Sequence, residues 1–143
     1  MKHLTFLAVL LSTTILHAQE TESAKKDIES VITNSYIEPL YLYGDLEKIK
    51  EGFHEEFRIN VLYNGVYSMR TRDEWIERIK NSRSANPTKK TYTWRFNMID
   101  VEDQTAVVKL TVNEEGKLKY IDYLTLYKFE TGWRVITKQF SMY

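Results

Sequence analysis

Lys117–Tyr143, KLKYIDYLTLYKFETGWRVITKQFSMY, is the stretch that decides the fold. Aromatic, β-branched and polar residues alternate along it in two long runs, which Glu130-Thr131-Gly132 separates. Alternation with a period of two is typical of strands whose two faces meet different surroundings. The stretch therefore predicts a pair of antiparallel strands with one face turned to a core, and it leaves the chemistry open.

Two further strands are predicted just before this pair, at Tyr92–Val101 and Ala106–Val112. The connections between all four strands are short, and short connections join antiparallel neighbours. The C-terminal half is therefore predicted to be a four-stranded meander. On its first strand, one face collects the apolar residues Tyr92, Trp94, Phe96 and Met98.

Helices are predicted at the start of the chain. Apolar residues recur every three or four positions from Ile28 to Tyr43, which indicates a first helix with one buried side. Pro39 lacks a backbone N–H and is expected to loosen the last turn, and Gly44 is expected to supply a left-handed stop. Asp45 is a suitable N-cap for a short second helix.

A β-hairpin is predicted between the second helix and a third. Phe57–Leu62 and Val66–Met69 are its strands, and Asn64-Gly65 is a strong signal for the tight turn that joins them. Thr71 followed by Glu74 forms a capping box that opens the third helix. The predicted class is α+β, with three helices of the N-terminal half packed on one side of a strongly curved antiparallel sheet made of this hairpin and the meander.

The first 18 residues predict a secretory signal peptide. A basic start at Lys2 and His3 precedes an apolar run, and Ala18 is a small residue suited to cleavage. The run is shorter than the roughly 20 residues needed to cross a bilayer, so no membrane span is expected after its removal, and an uncleaved anchor is the alternative. Residues 19–143 are predicted to be a single domain that is periplasmic or secreted.

The composition of the mature chain excludes several classes of protein. Removal of residues 1–18, which contain one lysine and no acid, leaves 19 basic and 20 acidic residues, mixed throughout, so a nucleic-acid module is not expected. The chain has no cysteine, and His54 is the only histidine beyond residue 18, so no metal site is predicted. Five scattered glycines form no phosphate or dinucleotide loop, and no cofactor is expected.

The order of elements resembles that of the nuclear transport factor 2-like (NTF2-like) superfamily and, within it, the putative lumazine-binding family of small bacterial proteins. The resemblance implies a cone-shaped fold and a homodimer formed through the outer sheet face. It does not imply one activity, because the superfamily holds isomerases, cyclases and non-catalytic binders on one scaffold. The residues that carry it are Tyr43-Gly44-Asp45, Gly52-Phe53-His54, Asp73-Glu74-Trp75, Ile121-Asp122-Tyr123-Leu124 and Gly132-Trp133-Arg134-Val135-Ile136-Thr137-Lys138.

Asp122 is the first candidate for a site residue. It interrupts an apolar strand and shares a face with Tyr120 and Leu124. If that face lines a cavity, the carboxyl group can act in proton transfer, as in ketosteroid isomerase, whose scaffold is similar. If that face points to water, or if Asp122 pairs with a basic residue of a neighbouring strand such as Lys138 or Lys109, it is a solvated charge.

His54 and Tyr36 complete the catalytic candidates. His54 is a possible general base, and the alternative is that it caps the second helix and packs beneath the sheet. The ligand-binding candidates combine flat aromatic faces, which suit a heterocycle, with the Asp122 carboxyl group. They are Tyr36, Trp75, Trp94, Asp122 and Trp133.

Three functions are compatible with these observations. The preferred hypothesis is an exported, non-catalytic domain that holds a small, partly apolar or aromatic molecule in its cone, as a homodimer. The first alternative is a cofactor-free isomerase or cyclase with Asp122 or His54 as acid or base and Tyr36 polarising a carbonyl. The second is a protein-interaction module that uses the outer sheet face.

Overall fold

The computed structural model describes residues 19–143, in which helices cover one face of an open six-stranded sheet. The predicted signal peptide, residues 1–18, lies outside the described residues. The predicted α+β class is confirmed. The order of helices and strands along the chain is the predicted one, and the first helix, the hairpin strands and several meander strands are longer than predicted.

Three helical segments precede or interrupt the strands. Helix α1 spans residues 19–41 and contains a π-turn at Thr33–Ile37 before its last turn, Glu38–Tyr41. Helix α2 begins as a 3-10 turn at Leu46–Lys48 and continues through Ile49–Gly52. Helix α3 is Arg72–Ala85, and the strands are β1 Phe53–Tyr63, β2 Val66–Thr71, β3 Tyr92–Glu102, β4 Thr105–Glu114, β5 Lys117–Phe129 and β6 Gly132–Met142.

The sheet has the strand order β2-β1-β6-β5-β4-β3. The predicted hairpin β1–β2 and the meander β3–β6 are both present and antiparallel. They are joined by a parallel pairing of β1 with β6, in which Phe53 lies beside Val135 and Asn60 beside Gln139. The sheet is therefore mixed and not antiparallel throughout, because the two halves of the chain meet along strands that run in the same direction.

Pro39 loosens α1, as predicted. In the turn before it, the Glu38 N–H donates to the Thr33 carbonyl, five residues earlier, in place of the usual four. The wider turn accommodates a residue that has no N–H of its own to donate. Pro39 itself is buried, so the irregular turn lies against the core.

The predicted left-handed stop at Gly44 is wrong by one residue. Tyr43 adopts the positive φ of 59°, and Gly44 does not. Gly44 is needed for a different reason, because a Cβ at this position would lie 3.0 Å from the Glu38 carbonyl oxygen. Arg83 on α3 closes this end of α1 by donating hydrogen bonds to the backbone carbonyls of Pro39, Leu40 and Gly44.

The local signals of the hairpin and of α3 are confirmed. Asn64 and Gly65 have φ values of 49° and 76°, the conformation that a two-residue hairpin turn requires. The Thr71 side chain accepts a hydrogen bond from the Glu74 N–H, and the Glu74 side chain accepts one from the Thr71 N–H, which completes the capping box. These short-range signals fix where β2 ends and α3 begins.

The predicted apolar face of β3 is only partly right. Tyr92, Trp94 and Phe96 are half-buried, whereas Met98 is 42% exposed. A bulge between Phe96 and Met98 shifts the alternation by one residue, so that Ile99 replaces Met98 on the core side.

Gly52 lets α2 approach α1 closely. A Cβ at Gly52 would lie 2.4 Å from the Ser35 Cβ, closer than real Cβ atoms come to another atom, and 3.1 Å from a Val31 methyl group, which is a tight contact. We predict that Gly52→Ala lowers the free energy of unfolding by about 1–3 kcal/mol, because the two helices must separate. Urea unfolding followed by circular dichroism measures this loss.

Glu51→Ala provides the matched control for Gly52→Ala, since Glu51 precedes Gly52 in α2 and is exposed. It should leave the free energy of unfolding within about 0.5 kcal/mol of the original value. Equal stability of the Gly52→Ala protein and the control would contradict the close approach of α1 and α2.

Candidate functional site

The inner face of the sheet, defined as the face that packs against the helices, carries one row of side chains that contains the principal site candidate. Phe96, Leu110, Asp122 and Phe140 are direct neighbours across β3, β4, β5 and β6. Leu110 and Asp122 are fully buried, and the two phenylalanines are half-buried. The two buried residues therefore form the closed centre of the row, and a half-buried phenylalanine lies at each end, where the face is more open.

Asp122 binds two side chains at once. The Tyr36 hydroxyl of α1 donates to its Oδ2 at 2.6 Å, and the Lys138 ammonium of β6 donates to its Oδ1. Asp122 and Tyr36 are 0% exposed and Lys138 is 4% exposed. Both carboxylate oxygens are acceptors here, so the ion pair combines with a hydrogen bond that ties the helix to the sheet. Lys109, the other lysine considered as a partner, lies against the ring of Tyr123.

Tyr41 extends this arrangement into a chain of four groups. Its hydroxyl lies 2.9 Å from the Tyr36 hydroxyl, and we call Lys138, Asp122, Tyr36 and Tyr41 the buried polar cluster. Burial, followed by the nearby Asp122 charge, raises the pKa of both tyrosines well above the usual value near 10. Both hydroxyls therefore remain protonated donors over the physiological range.

Lys138 is enclosed by one carboxylate and two aromatic rings. Its Nζ lies 5.1 Å from the centre of the Tyr36 ring and 4.7 Å from that of Phe140, distances at which a cation is attracted to a ring face. Burial lowers the pKa of Lys138, while the charge of Asp122 and the hydrogen bond to it act in the opposite direction. Phe140 thus connects the buried polar cluster to the more open part of the inner face.

That open part is lined by half-buried aromatic side chains, which we call the aromatic rim. Tyr120 and Phe140 meet edge to face with their centroids 5.7 Å apart, and Tyr92 lies 5.0 Å from Tyr41 of the buried polar cluster. Trp94 on β3 and Tyr120 on β5 lie on either side of Val112 on β4, so their Cα atoms are about 10 Å apart, two strand spacings. The rim consists of Tyr92, Trp94, Phe96, Tyr120 and Phe140.

Of the ligand-binding candidates, only Trp94 belongs to the rim. Trp75 is 7% exposed and packs its ring against Tyr36, Phe53 and Phe57. Trp133 is 2% exposed, and its Nε1–H has no hydrogen-bond partner among the described residues. The structure therefore joins Tyr36, Trp75 and Asp122 in the core and places Trp94 at the more open end.

His54 lies apart from these groups. It is in β1 and does not cap α2, its Nδ1 accepts a hydrogen bond from the Glu56 N–H, and its ring stacks on Phe129 with centroids 4.9 Å apart. These contacts are those of a strand residue held in place by its neighbours. They connect His54 to neither Asp122 nor Tyr36.

Sequence reasoning missed Tyr120 and Phe140 as site residues. Each lies two positions from a member of the buried polar cluster, Asp122 or Lys138, and therefore on the same face of its strand. That parity was available in the sequence. What it could not indicate is how far the helices extend over the sheet, which decides which aromatic residues are closed in.

Other features of the described residues add no site. Within residues 19–143, no three His, Cys, Asp or Glu side chains converge as metal ligands, and no helix is long and apolar enough to cross a membrane. An open depression along α3 contains none of the predicted site residues. It is lined by Asp73, Glu74, Glu77, Arg78, Asn81 and Ser82.

Solved structures with this architecture define the class of protein. An NTF2-like protein of unknown function from Silicibacter pomeroyi superposes with a TM-score of 0.70 at 18% identity, covering 86% of this chain and 98% of that one. An NTF2-like protein of unknown function from Shewanella baltica superposes with a TM-score of 0.68 at 15% identity, covering 88% of this chain and 95% of that one. An NTF2-like protein with a cystatin-like fold from Novosphingobium aromaticivorans superposes with a TM-score of 0.69 at 17% identity, covering 91% of this chain and 88% of that one. The domain therefore has the cone-shaped NTF2-like fold.

A family model makes the assignment more specific. Residues 23–141 match the family described as putative lumazine-binding, and the chain belongs to that family. No curated protein matches the chain. The superfamily and family resemblance carried by the sequence motifs is confirmed.

The buried ion pair gives a testable energetic signature. We predict that Asp122→Leu and Lys138→Met each lower the free energy of unfolding by about 3–5 kcal/mol, because each leaves one buried charge without its partner. The double variant should lose less than either single variant, since no unpaired charge remains. Urea unfolding of the four proteins forms a double-mutant cycle, and a loss in the double variant equal to the sum of the single losses would contradict the pairing.

The buried tyrosines predict a loss of stability in alkali. Tyr36 and Tyr41 keep their protons in the folded chain above pH 10, where unfolded tyrosine ionises, so the folded state then holds more protons. Their contribution is complete below pH 10 and is lost as the pH rises through the folded values. Lys138, whose lowered pKa acts with the opposite sign, opposes part of this effect below about pH 10.5.

The comparison with Tyr41→Phe isolates the tyrosine contribution to this pH dependence. Urea unfolding between pH 9.5 and 11 should give a slope that is shallower for the variant by up to about 1.4 kcal/mol per pH unit. Identical slopes for the two proteins would show that Tyr41 ionises equally in the folded and unfolded states.

Proposed function

We propose that this domain binds a small, partly apolar or aromatic molecule against the aromatic rim and does not transform it. The observation that carries the proposal is the rim itself, five half-buried aromatic side chains that border a closed polar core. Aromatic faces stack on flat rings, and the hydroxyl of Tyr120 adds a polar edge, whereas that of Tyr92 already donates to Glu114 at 2.9 Å. Membership of a family named for lumazine binding supports a heterocyclic ligand of this kind.

The geometry of the buried polar cluster favours binding without turnover. An isomerase of the type considered above needs a carboxylate and a hydroxyl that both reach one substrate. Tyr36 instead donates a hydrogen bond to Asp122, and Lys138 donates one to the second oxygen of the same carboxylate. The buried polar cluster therefore stabilises the core beside the aromatic rim. The enzyme alternative has no observation in its favour.

The lining of the rim favours a ring system without net charge. Two charged groups near it have partners of opposite sign, Lys138 with Asp122 and Lys90 with Glu114, whose Nζ and Oε1 are 2.7 Å apart, and the Nζ of Lys119 lies 5.9 Å from the centre of the Tyr120 ring. A charged group placed against either ion pair would have to displace one partner, whereas a neutral ring can lie against Trp94 and Tyr120 without doing so. Export to the periplasm or the medium and homodimer formation are parts of the same proposal.

A thermal-shift panel tests this proposal. Pterins, flavins and steroids present neutral rings of increasing size, and at least one class should raise the melting temperature by several degrees at concentrations well above its dissociation constant. Trp94→Leu and Tyr120→Leu should each reduce that shift, because they remove a ring face and keep an apolar side chain.

Tyr127→Leu is the matched control for these two variants, because Tyr127 is a half-exposed tyrosine on β5 that lies outside the rim. It should keep the ligand-induced shift. An unchanged shift in both rim variants would place the ligand elsewhere, and indifference of the original protein to every compound would count against ligand binding.

A further inference from the structure

The two free edges of the sheet differ in how they are protected. Natural sheets protect an exposed edge with charges, bulges or proline, since its unpaired backbone groups attract other strands. Edge strand β3 has a bulge after Phe96 and exposed charges at Arg95, Asp100 and Glu102. The other edge, β2, pairs with β1 in an uninterrupted register and has no such bulge.

The tip of the hairpin that carries the β2 edge is also uncharged and apolar, and the charged residue of β2, Arg70, lies near its end and is half-buried. Residues 59–69 contain no charged side chain in a protein that is 28% charged. Large apolar side chains near its tip are more than half exposed. They are Leu62 at 71%, Tyr63 at 59%, Val66 at 68%, Tyr67 at 63% and Met69 at 56%.

The exposed apolar side chains flank the β2 edge on both faces of the hairpin. Side chains alternate along a strand, so one face carries Leu62, Tyr67 and Met69 and the other carries Tyr63 and Val66. They expose on the order of 100 Å² each, or about 500 Å² in all. A second β2 strand beside this edge would give these side chains apolar neighbours on both faces.

Backbone geometry favours a protein strand over a lipid surface as the partner of the β2 edge. In a two-residue hairpin, the residues that flank the turn, Tyr63 and Val66, bond to each other, so the next outward-facing N–H groups on β2 are those of Tyr67 and Met69. Lipid can cover the side chains but leaves these N–H groups without acceptors. A second strand satisfies both.

We propose that two copies of this chain pair their β2 strands antiparallel, with the two-fold axis at Ser68. In this register Tyr67 of one copy lies beside Met69 of the other, and their outward backbone groups form the hydrogen bonds. The residues nearest the axis are uncharged, and Arg70 lies beside Val66 of the other copy, so no like charges face each other across the axis. The result is one continuous sheet across two domains.

Met69→Pro tests the pairing, with Met69→Ala as its control. Both remove the side chain, but only proline removes the outward N–H, and edge positions of this kind tolerate proline. Sedimentation equilibrium should show a dimer for the original protein and for Met69→Ala, and at least a tenfold higher dissociation constant for Met69→Pro. A monomeric original protein would overturn the proposal. Equal dissociation constants for Met69→Pro and Met69→Ala would also overturn it, and would indicate association through the outer sheet face.

A crosslink decides the case if Met69→Pro fails to fold. The chain has no cysteine, so Ser68→Cys introduces a single thiol. Two such residues at the axis would have Cα atoms about 4.5–5.5 Å apart, within disulfide range. Mild oxidation should yield a covalent dimer for Ser68→Cys and not for Thr93→Cys on the β3 edge, and equal yields from both would contradict the proposed register.

Discussion

The hydrogen bond from Tyr36 to the ion pair of Asp122 and Lys138 is the contact on which the inner face depends. It connects α1 to β5 and β6 in the centre of the core, at positions that are at most 4% exposed. Desolvating two charges is costly, and the pair is tolerable because each partner is fully engaged, the lysine also by two aromatic rings. The geometry of this contact fixes how closely the helix lies over the sheet and therefore where the aromatic rim begins.

Short-range signals in the sequence were sufficient for most of the elements. The Asn64-Gly65 turn, the capping box at Thr71 and the period-two pattern of β5 each depend on residues within a few positions of one another, and each is present. Asp122 could be singled out for a similar reason, because a charge in an apolar strand is visible without any structure. Its partner Lys138 was one of two lysines considered, and only the strand register distinguishes them.

What sequence reasoning could not supply depends on contacts between distant segments. The parallel pairing of β1 with β6 joins residues about 80 positions apart, and neither strand contains a signal for its partner. The bulge that turns Met98 outward and the left-handed turn at Tyr43 are local, but tertiary packing selects them over the alternatives that propensity favours. The burial of Trp75 and Trp133, in contrast to Trp94, likewise follows from where the helices end.

The inner face of the sheet divides into the buried polar cluster and the more open aromatic rim, and the proposed function depends on this division. The solved structures that share the fold are themselves described as being of unknown function or by fold, and they support the architecture alone. In this chain the candidate acid and hydroxyl satisfy each other, whereas the rings of the aromatic rim keep part of their surface exposed. That pattern favours the proposed binding of a small molecule against the rim.

Native mass spectrometry of the protein purified from its own source tests this account most directly. The account predicts a non-covalent complex with a small molecule that is recovered chemically unchanged after prolonged incubation with the protein. Recovery of a converted product would contradict binding without turnover, and folded protein that has the mass of the bare chain in every preparation, and takes up no ring compound added to it, would contradict ligand binding.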